Sequence, residues 1–376
     1  MDILVICGFG METATKLELK RLGYDAPCVD GRFEIKGDET DVVRLNLHLR
    51  TADRVLIKLA TFVATTFDEL FDGVSQVSWG DLLPQDGFIA VNAKSIKSTL
   101  FALSSIQSIT KKAIVNCLLK KYPSLPESGD RYGVEVSIIR DSVVVSLDTS
   151  GAGLHKRGYR KLVWEAPIKE TLAAGIIELS GWRGDRAVID PFTGSGTFPI
   201  ECCMRALSIP SGYFREFAFE KYPFISPGIL KEQKKIAGDG IEWDKKVRIS
   251  GYDIKGKAIG IAVKSAKEFG LDKYIHFQTQ DMRMISSRYE GGMIFANPPY
   301  GERLCTEKEV ELLYRDFGKV YNSLDGWGAN VITSYPKFER CFARHADKER
   351  KVYNAKLLCR IYTYFSQKIE KKSENF

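Results

Sequence analysis

The sequence predicts an α/β protein. A mostly parallel, doubly wound sheet ending in an antiparallel hairpin is expected in its C-terminal part, with smaller α+β units before it. Three observations predict this. From residue 187 onward, short apolar strands alternate with amphipathic helices, the pattern of a parallel sheet covered on both faces. Before residue 152, hairpins and helices are intermixed. The chain has 376 residues, more than the roughly 100–200 of one ordinary domain.

The first 60 residues read as a small α+β unit. Residues 2–8 (DILVICG) are β-rich, and 11–23 have helical spacing ending at Gly23, a C-cap. Residues 28–37 form a hairpin around Asp30-Gly31. A helix and a strand share 41–62. Residues 61–152 make a second unit. Its helix over 67–84 stops at Pro84, a strand covers 87–96, and an amphipathic helix over 104–122 has a serine cap near Ser104. A hairpin over 132–151 turns at Arg140-Asp141.

Residues 153–166 have the composition of a linker, and 167–376 form the last domain. Its strands are 187–192, 247–254, 275–281, 291–299 and 329–335, its helices 197–207, 256–270 and 309–324, and 351–365 fold as a closing hairpin. A charged tail, KIEKKSENF, follows.

Composition narrows the function classes. With 44% hydrophobic and 27% charged residues the chain is globular, not disordered. No apolar run reaches the ~20 residues that span a bilayer, and the N-terminus lacks the signature of a signal peptide. A cytoplasmic protein with no membrane association is expected. The 8 cysteines include no CxxC pair and read as reduced thiols; the 4 histidines have no zinc-ligand spacing, so no metal is expected. Residues 1–160 are charge-neutral, and the net charge of +7 lies wholly in 161–376. A basic excess suits a polyanionic partner.

The strongest local signal is Asp190-Pro-Phe192-Thr-Gly194-Ser195-Gly196-Thr197, between a strand and a helix. Two glycines let a ligand approach the backbone, and the helix N-terminus offers free N–H groups to an anion. Asp190 can take an amine or hydroxyl. The segment is neither GxGxxG nor a P-loop, which disfavours a dinucleotide enzyme and excludes a phosphate loop of that type. Asp253 ends the next strand, where a carboxylate can hold ribose hydroxyls, and Asp281 ends the third, where it could take an adenine amine. After the fourth strand comes Asn297-Pro298-Pro299-Tyr300. The prolines fix the turn, Asn297 and nearby carbonyls can accept from an exocyclic amine, and Tyr300 offers a face to a flat base.

DPFTGSGTF followed by ANPPYGER resembles the class I S-adenosylmethionine-dependent amino-methyltransferases. GLHKRGYR, EAPIKETLAAGII and FREFAFEKYPF resemble the THUMP-containing RNA guanine-N2 methyltransferases, a group that includes enzymes of 23S ribosomal RNA. The resemblance covers nearly the whole chain. It implies a Rossmann-like methyltransferase domain behind a ferredoxin-like unit and a THUMP RNA-binding domain. It implies S-adenosylmethionine held by Asp190, Phe192, Gly194, Ser195, Gly196 and Thr197, by Asp253 and Ile254, by Asp281 and Met282, and by Pro167 and Thr171. It makes Asn297, Pro298, Pro299 and Tyr300 the catalytic group, acting on N2 of a guanine in RNA.

Ribosomal RNA is favoured over transfer RNA. A DNA adenine-N6 methyltransferase and a non-catalytic RNA-binding assembly factor are the rival classes. RNA is expected to meet Lys94, Lys97, Lys111 and Lys112, together with Arg157 and Arg160 of the linker.

Overall fold

The computed structural model describes residues 1–162, 167–300 and 306–366, which divide into two compact units. The first comprises Met1–Cys7, Leu19–Leu154 and Arg215–Ala237. The second comprises Gly8–Glu18, His155–Phe214 and the chain from Gly238 onward.

The first seven strands are β1 (Asp2–Cys7), β2 (Cys28–Val29), β3 (Arg32–Lys36), β4 (Ala52–Val63), β5 (Phe88–Ile96), β6 (Arg131–Ile139) and β7 (Ser142–Asp148). Between them lie α1 (Glu12–Arg21), α2 (Glu39–His48), α3 (Phe67–Ser75), α4 (Trp79–Leu82) and α5 (Leu103–Leu118). The strands make one sheet, ordered β2-β3-β1-β4-β7-β6-β5. Its antiparallel register places Val5 opposite Phe33 and Val55, so apolar side chains of three strands share one buried face. The long strand β4 pairs with β1 on one side and β7 on the other, as far as Val63. The expected border between residues 60 and 61 therefore falls inside a strand.

Two expectations in this unit are corrected, and a segment from further along the chain joins it. The helix over 67–84 is two helices, because Trp79 turns into the core and its indole donates to the Val74 carbonyl at 2.9 Å. Helix α5 begins at Leu103 with Ala102 at the cap and no side-chain capping bond, so there is no serine cap at Ser104. Residues 215–237, assigned by sequence to the 167–376 domain, pack with this unit. Their aromatic side chains Phe217, Phe219 and Tyr222 are buried in this core, and Tyr222 stacks on Tyr132 at 5.4 Å.

His48 ends α2. Burial, with Arg50 and Arg44 nearby, lowers its pKa to about 4 from 6.5. The unfolded chain takes up the proton first, so stability held above pH 6.5 is lost as pH falls toward 4. The contribution is at most about 3 kcal/mol. Denaturant unfolding of wild type and His48→Gln between pH 7 and 4 should show a shallower loss in the variant. Parallel curves would contradict this assignment.

The second group of strands is β8 (Val188–Asp190), β9 (Ile249–Asp253), β10 (Ile275–Thr279), β11 (Met293–Ala296), β12 (Gly328–Thr333), β13 (Lys348–Asn354) and β14 (Leu357–Tyr364). The helices are α6 (Glu170–Leu179), α7 (Thr197–Ala206), α8 (Pro227–Asp239), α9 (Gly256–Lys267), α10 (Glu307–Asn322) and α11 (Phe338–Phe342). Most of α8 falls in the first unit. The sheet order is β10-β9-β8-β11-β12-β14-β13, parallel from β10 to β12 and antiparallel at β14 and β13. The chain runs outward from β8 to β10, then returns to β11 on the other side of β8. That reversal creates a switch point between β8 and β11, where open α/β sheets bind ligands at the strands' carboxyl ends.

Helices α6, α8 and α11 lie outside the sequence expectations. Residues 170–178 of α6 are all buried, so the helix shows no polar face and no amphipathic period. Among the described residues no helix is long and apolar enough to cross a membrane.

Residues 153–162 are not a solvated linker. Leu154, Arg157 and Tyr159 are each 1% exposed. The remainder of the expected linker, 163–166, lies outside the described residues, as do 301–305 and the charged tail from 367.

Candidate active site

Four strand ends meet at the switch point, in the order β10, β9, β8, β11. They carry Asp281 just past β10, Asp253 ending β9, Asp190 ending β8 and Asn297 following β11. The sheet thus gathers residues up to 107 positions apart in sequence onto one edge.

The turn between β8 and α7 is pinned to β9. The Thr193 amide donates to the Tyr252 carbonyl at 2.8 Å, and the Gly194 amide to Asp253 Oδ2 at 3.0 Å. Asp253 Oδ1 accepts from the Lys255 amide at 2.9 Å. Gly194 and Gly196 have φ of +50° and +85°, a region that glycine enters without steric cost. Gly196 caps the ten-residue α7, and no side chain caps that terminus. Its first-turn amides and the positive end of the helix dipole face the strand ends, as an anion-binding terminus requires.

Asp190 is 1% exposed. Its Oδ1 accepts from the Phe192 amide at 3.1 Å. Burial pushes the carboxyl well above the usual carboxylate range, and that backbone bond only partly offsets it. A ligand cation at this position would restore the ionised form.

Asp281 accepts the Arg283 amide at 2.9 Å and pairs with the Arg283 guanidinium at 3.0 Å, so it caps a short helical turn in this structure. Beside it Met282 is buried, whereas Ile254 is 64% exposed at the end of β9. Phe192 packs edge-on against Phe317 at 5.3 Å. Thr171 is buried in α6, and Pro167 is half-buried before it.

In the turn after β11, the Tyr300 hydroxyl donates to Asn297 Oδ1. The Tyr300 ring packs on the second unit's core, and burial raises its pKa far above the usual tyrosine value. The Pro299 carbonyl accepts from the Tyr314 hydroxyl at 2.8 Å. The Pro298 carbonyl accepts no hydrogen bond among the described residues. Sequence reasoning missed Tyr314. It lies on α10, and only the fold brings it against the turn.

These residues bring one buried carboxyl, one uncapped helix terminus and one amide oxygen to the carboxyl ends of the parallel strands. Among the described residues no group of three or more His, Cys, Asp or Glu could hold a metal.

The RMKL-like methyltransferase domain family matches residues 157–363, more than half of the chain. The chain belongs to this methyltransferase family. Residues 2–56 match the RlmL ferredoxin-like domain and 64–148 the THUMP domain. A relative from Bacillus subtilis described as "Putative RNA methyltransferase YpsC" is 37% identical over 99% of this chain and 98% of its own length. "Ribosomal RNA large subunit methyltransferase K/L" of Psychromonas ingrahamii is 32% identical over 94% of this chain. The chain spans only 49% of that longer relative. A solved structure described as "SMU.472, a putative methyltransferase complexed with SAH" has 38% identity and a TM-score of 0.92, covering 98% of this chain and 99% of that one.

Within the methyltransferase domain, two of the basic residues expected to meet RNA have other work. Arg157 is buried and gives its Nε and Nη2 to the fully buried Glu201 at 3.2 and 3.4 Å. Tyr159 also donates to Glu201, at 3.1 Å. Arg160 binds Thr197 Oγ1 at 2.6 Å and the Ile168 carbonyl at 3.1 Å, and pairs with Glu170 at 3.4 Å. Arg160 therefore ties the start of α7 to the segment before α6. Arg157 is closed off from any phosphate by its burial, while Arg160 is half-buried and engaged with these partners. In the first unit, Lys111 pairs with Glu127 at 2.7 Å, while Lys94, Lys97 and Lys112 are exposed.

Proposed function

We propose that this chain transfers a methyl group from S-adenosylmethionine to the exocyclic N2 amine of a guanine in RNA, with 23S ribosomal RNA the favoured substrate. The observation that carries the reading is the placement of Asn297-Pro298-Pro299-Tyr300 beside the glycine turn, on either side of one switch point. The THUMP match supports RNA, and the K/L relatives support the large ribosomal subunit. The division of labour follows the domain order expected from sequence. Residues 1–152 grip RNA and the methyltransferase domain does the chemistry.

The residues present fit the cofactor. The uncapped terminus of α7 suits a carboxylate, and the buried Asp190, short of a positive partner, suits an ammonium group. Asp253 would accept from ribose hydroxyls, with the exposed Ile254 beside the base. Asp281 would take the adenine amine through lone pairs that Arg283 leaves open, with Met282, Phe192, Pro167 and Thr171 completing the walls. When bound, S-adenosylmethionine supplies an electrophilic methyl group.

The chain's part is positioning. Asn297 Oδ1 and the Pro298 carbonyl would accept the two N–H bonds of the target amine. The amine would displace the Tyr300 hydroxyl from Oδ1. With both N–H bonds held, the nitrogen lone pair is aimed toward the cofactor side of the switch point. The base must be unpaired or extruded to reach this turn. Tyr300 would support its face. Lys94, Lys97 and Lys112 remain the candidates for phosphate contact outside the site.

Gly196→Ala tests the cofactor loop. An added Cβ would lie 3.0 Å from the Ala262 Cβ, at a φ of +85°. The strain alone is about 1–2 kcal/mol, and shifting the loop should weaken cofactor binding by roughly 10-fold or more. Calorimetric titration checks this, and unchanged affinity would remove the loop from the site.

The reading as a whole is tested with labelled S-adenosylmethionine and nucleic acid from a strain lacking the gene. Ribosomal RNA, transfer RNA and duplex DNA are incubated separately, and product nucleosides are resolved by mass spectrometry. N2-methylguanosine in ribosomal RNA is expected. Methyladenine in DNA would overturn the substrate, and cofactor binding without any product would favour a binding factor.

A further inference from the structure

A second cluster of polar groups lies at the opposite, amino end of the same parallel strands. A cleft of about 530 Å³ opens there. Arg248, Lys273, His276 and Arg288 line it, and no Asp or Glu is among its lining residues.

The cations are held in place by aromatic rings. The Arg248 guanidinium sits 4.6 Å from the centre of the Tyr289 ring. The Arg288 guanidinium lies 5.1 Å from the same centre and donates to the Tyr289 hydroxyl at 2.9 Å. The Lys273 ammonium lies 5.0 Å from the centre of the Tyr274 ring. Tyr289 is fixed in turn, because the buried Trp327 indole donates to its carbonyl at 2.9 Å. The Arg248 carbonyl accepts the Val188 amide at 2.8 Å, which ties the arginine's backbone to β8.

Among the described residues, no carboxylate forms an ion pair with Arg248, Lys273 or Arg288. Elsewhere in this unit cations are paired: Arg157 with Glu201, Arg205 with Glu178 and Arg283 with Asp316. Three cations on fixed supports, with the Ser286 hydroxyl beside them, form a receptor for tetrahedral anions. A π-held guanidinium keeps its N–H edge free for a phosphate oxygen.

We propose that this cleft binds the sugar–phosphate backbone of the RNA substrate, at a second contact separated from the methyl-transfer edge by the height of the sheet. Strands of five residues rise roughly 3.3 Å per residue, so the two sites stand on the order of 15–20 Å apart, a distance that a few nucleotides can span. The cleft would hold the strand flanking the target while the target base enters the turn after β11. The inference rests on the reading of RNA as the substrate.

The test uses the full chain, wild type and the double variant Arg248→Gln/Arg288→Gln. Binding of deproteinised 23S ribosomal RNA is measured from 50 to 300 mM salt. Binding of inorganic phosphate and of S-adenosylmethionine is measured alongside, the latter as a check on folding. Loss of two phosphate contacts should weaken RNA binding roughly 10-fold or more near 0.1 M salt and flatten the slope of log K against log salt by about 2. Cofactor affinity should not change.

RNA affinity and slope equal to wild type, with cofactor binding intact, would overturn the cleft assignment and leave the proposed reaction standing. Tight phosphate binding lost in the variant, with RNA affinity unchanged, would assign the cleft to a free phosphate compound instead. Wild type that neither binds nor methylates RNA would overturn both. Should the double variant lose cofactor binding, the single variant Lys273→Gln is read the same way, with a slope change of about 1 expected.

Discussion

Replacing Asn297 with alanine is expected to lower turnover by roughly 10²–10³-fold, the usual cost of removing one group that orients the reacting centre. Cofactor affinity should stay within about twofold, because the role proposed for Asn297 is on the amine side of the switch point. The variant keeps the backbone of the turn, which its two prolines and the Tyr314–Pro299 bond fix independently. Single-turnover assays with labelled cofactor, paired with calorimetry, separate the two effects. A variant with near-wild-type turnover would falsify the role given to Asn297. Equal loss of turnover and of cofactor binding would point to collapse of the turn instead.

The second large effect concerns stability. Glu201→Ala leaves Arg157 charged and 1% exposed without its bidentate carboxylate. Burial works to lower the Arg157 pKa, and the charge and hydrogen bonds of Glu201, with Tyr159 and Glu170 nearby, together more than offset it in the intact protein. Breaking such a buried pair typically costs about 3–5 kcal/mol, whereas exchanging both partners for apolar residues of similar volume is often close to neutral. Denaturant unfolding should therefore place Glu201→Ala far below wild type and Arg157→Met/Glu201→Leu well above the single variant. A single variant within about 1 kcal/mol of wild type would mean that water reaches the pair.

The same pair shows where the sequence misleads. Gly151, Gly153, Gly158 and four Lys/Arg give residues 151–161 the look of a solvated linker. The carboxylate that neutralises Arg157 lies 44 residues further on, and nothing local announces it. The segment 215–237 is similar. Its aromatic run signals burial, but only the fold reveals that Phe217 and Tyr222 enter the first unit's core. Helix α6 escapes because periodicity needs a wet face, and it has none along residues 170–178.

The strand-end residues were legible for the opposite reason. Asp190, Gly194, Gly196, Asp253 and Asn297 sit in turns set by their own chemistry: positive φ at glycine, proline-fixed geometry, and a carboxylate closing a short strand. Alternation of apolar strands with helices then places those turns on one edge. Their local bonds were not legible. Asp281 is capped by Arg283, and Tyr300 bonds to Asn297.

The most direct test is a crystal structure of the full chain with S-adenosylhomocysteine. The amino-acid end of the ligand should lie between Asp190 and the first turn of α7. The ribose should meet Asp253, the adenine should meet Asp281, and the sulfur should face Asn297. A ligand seated away from the carboxyl ends of β8 and β9, or one whose sulfur points away from the turn after β11, would contradict the account.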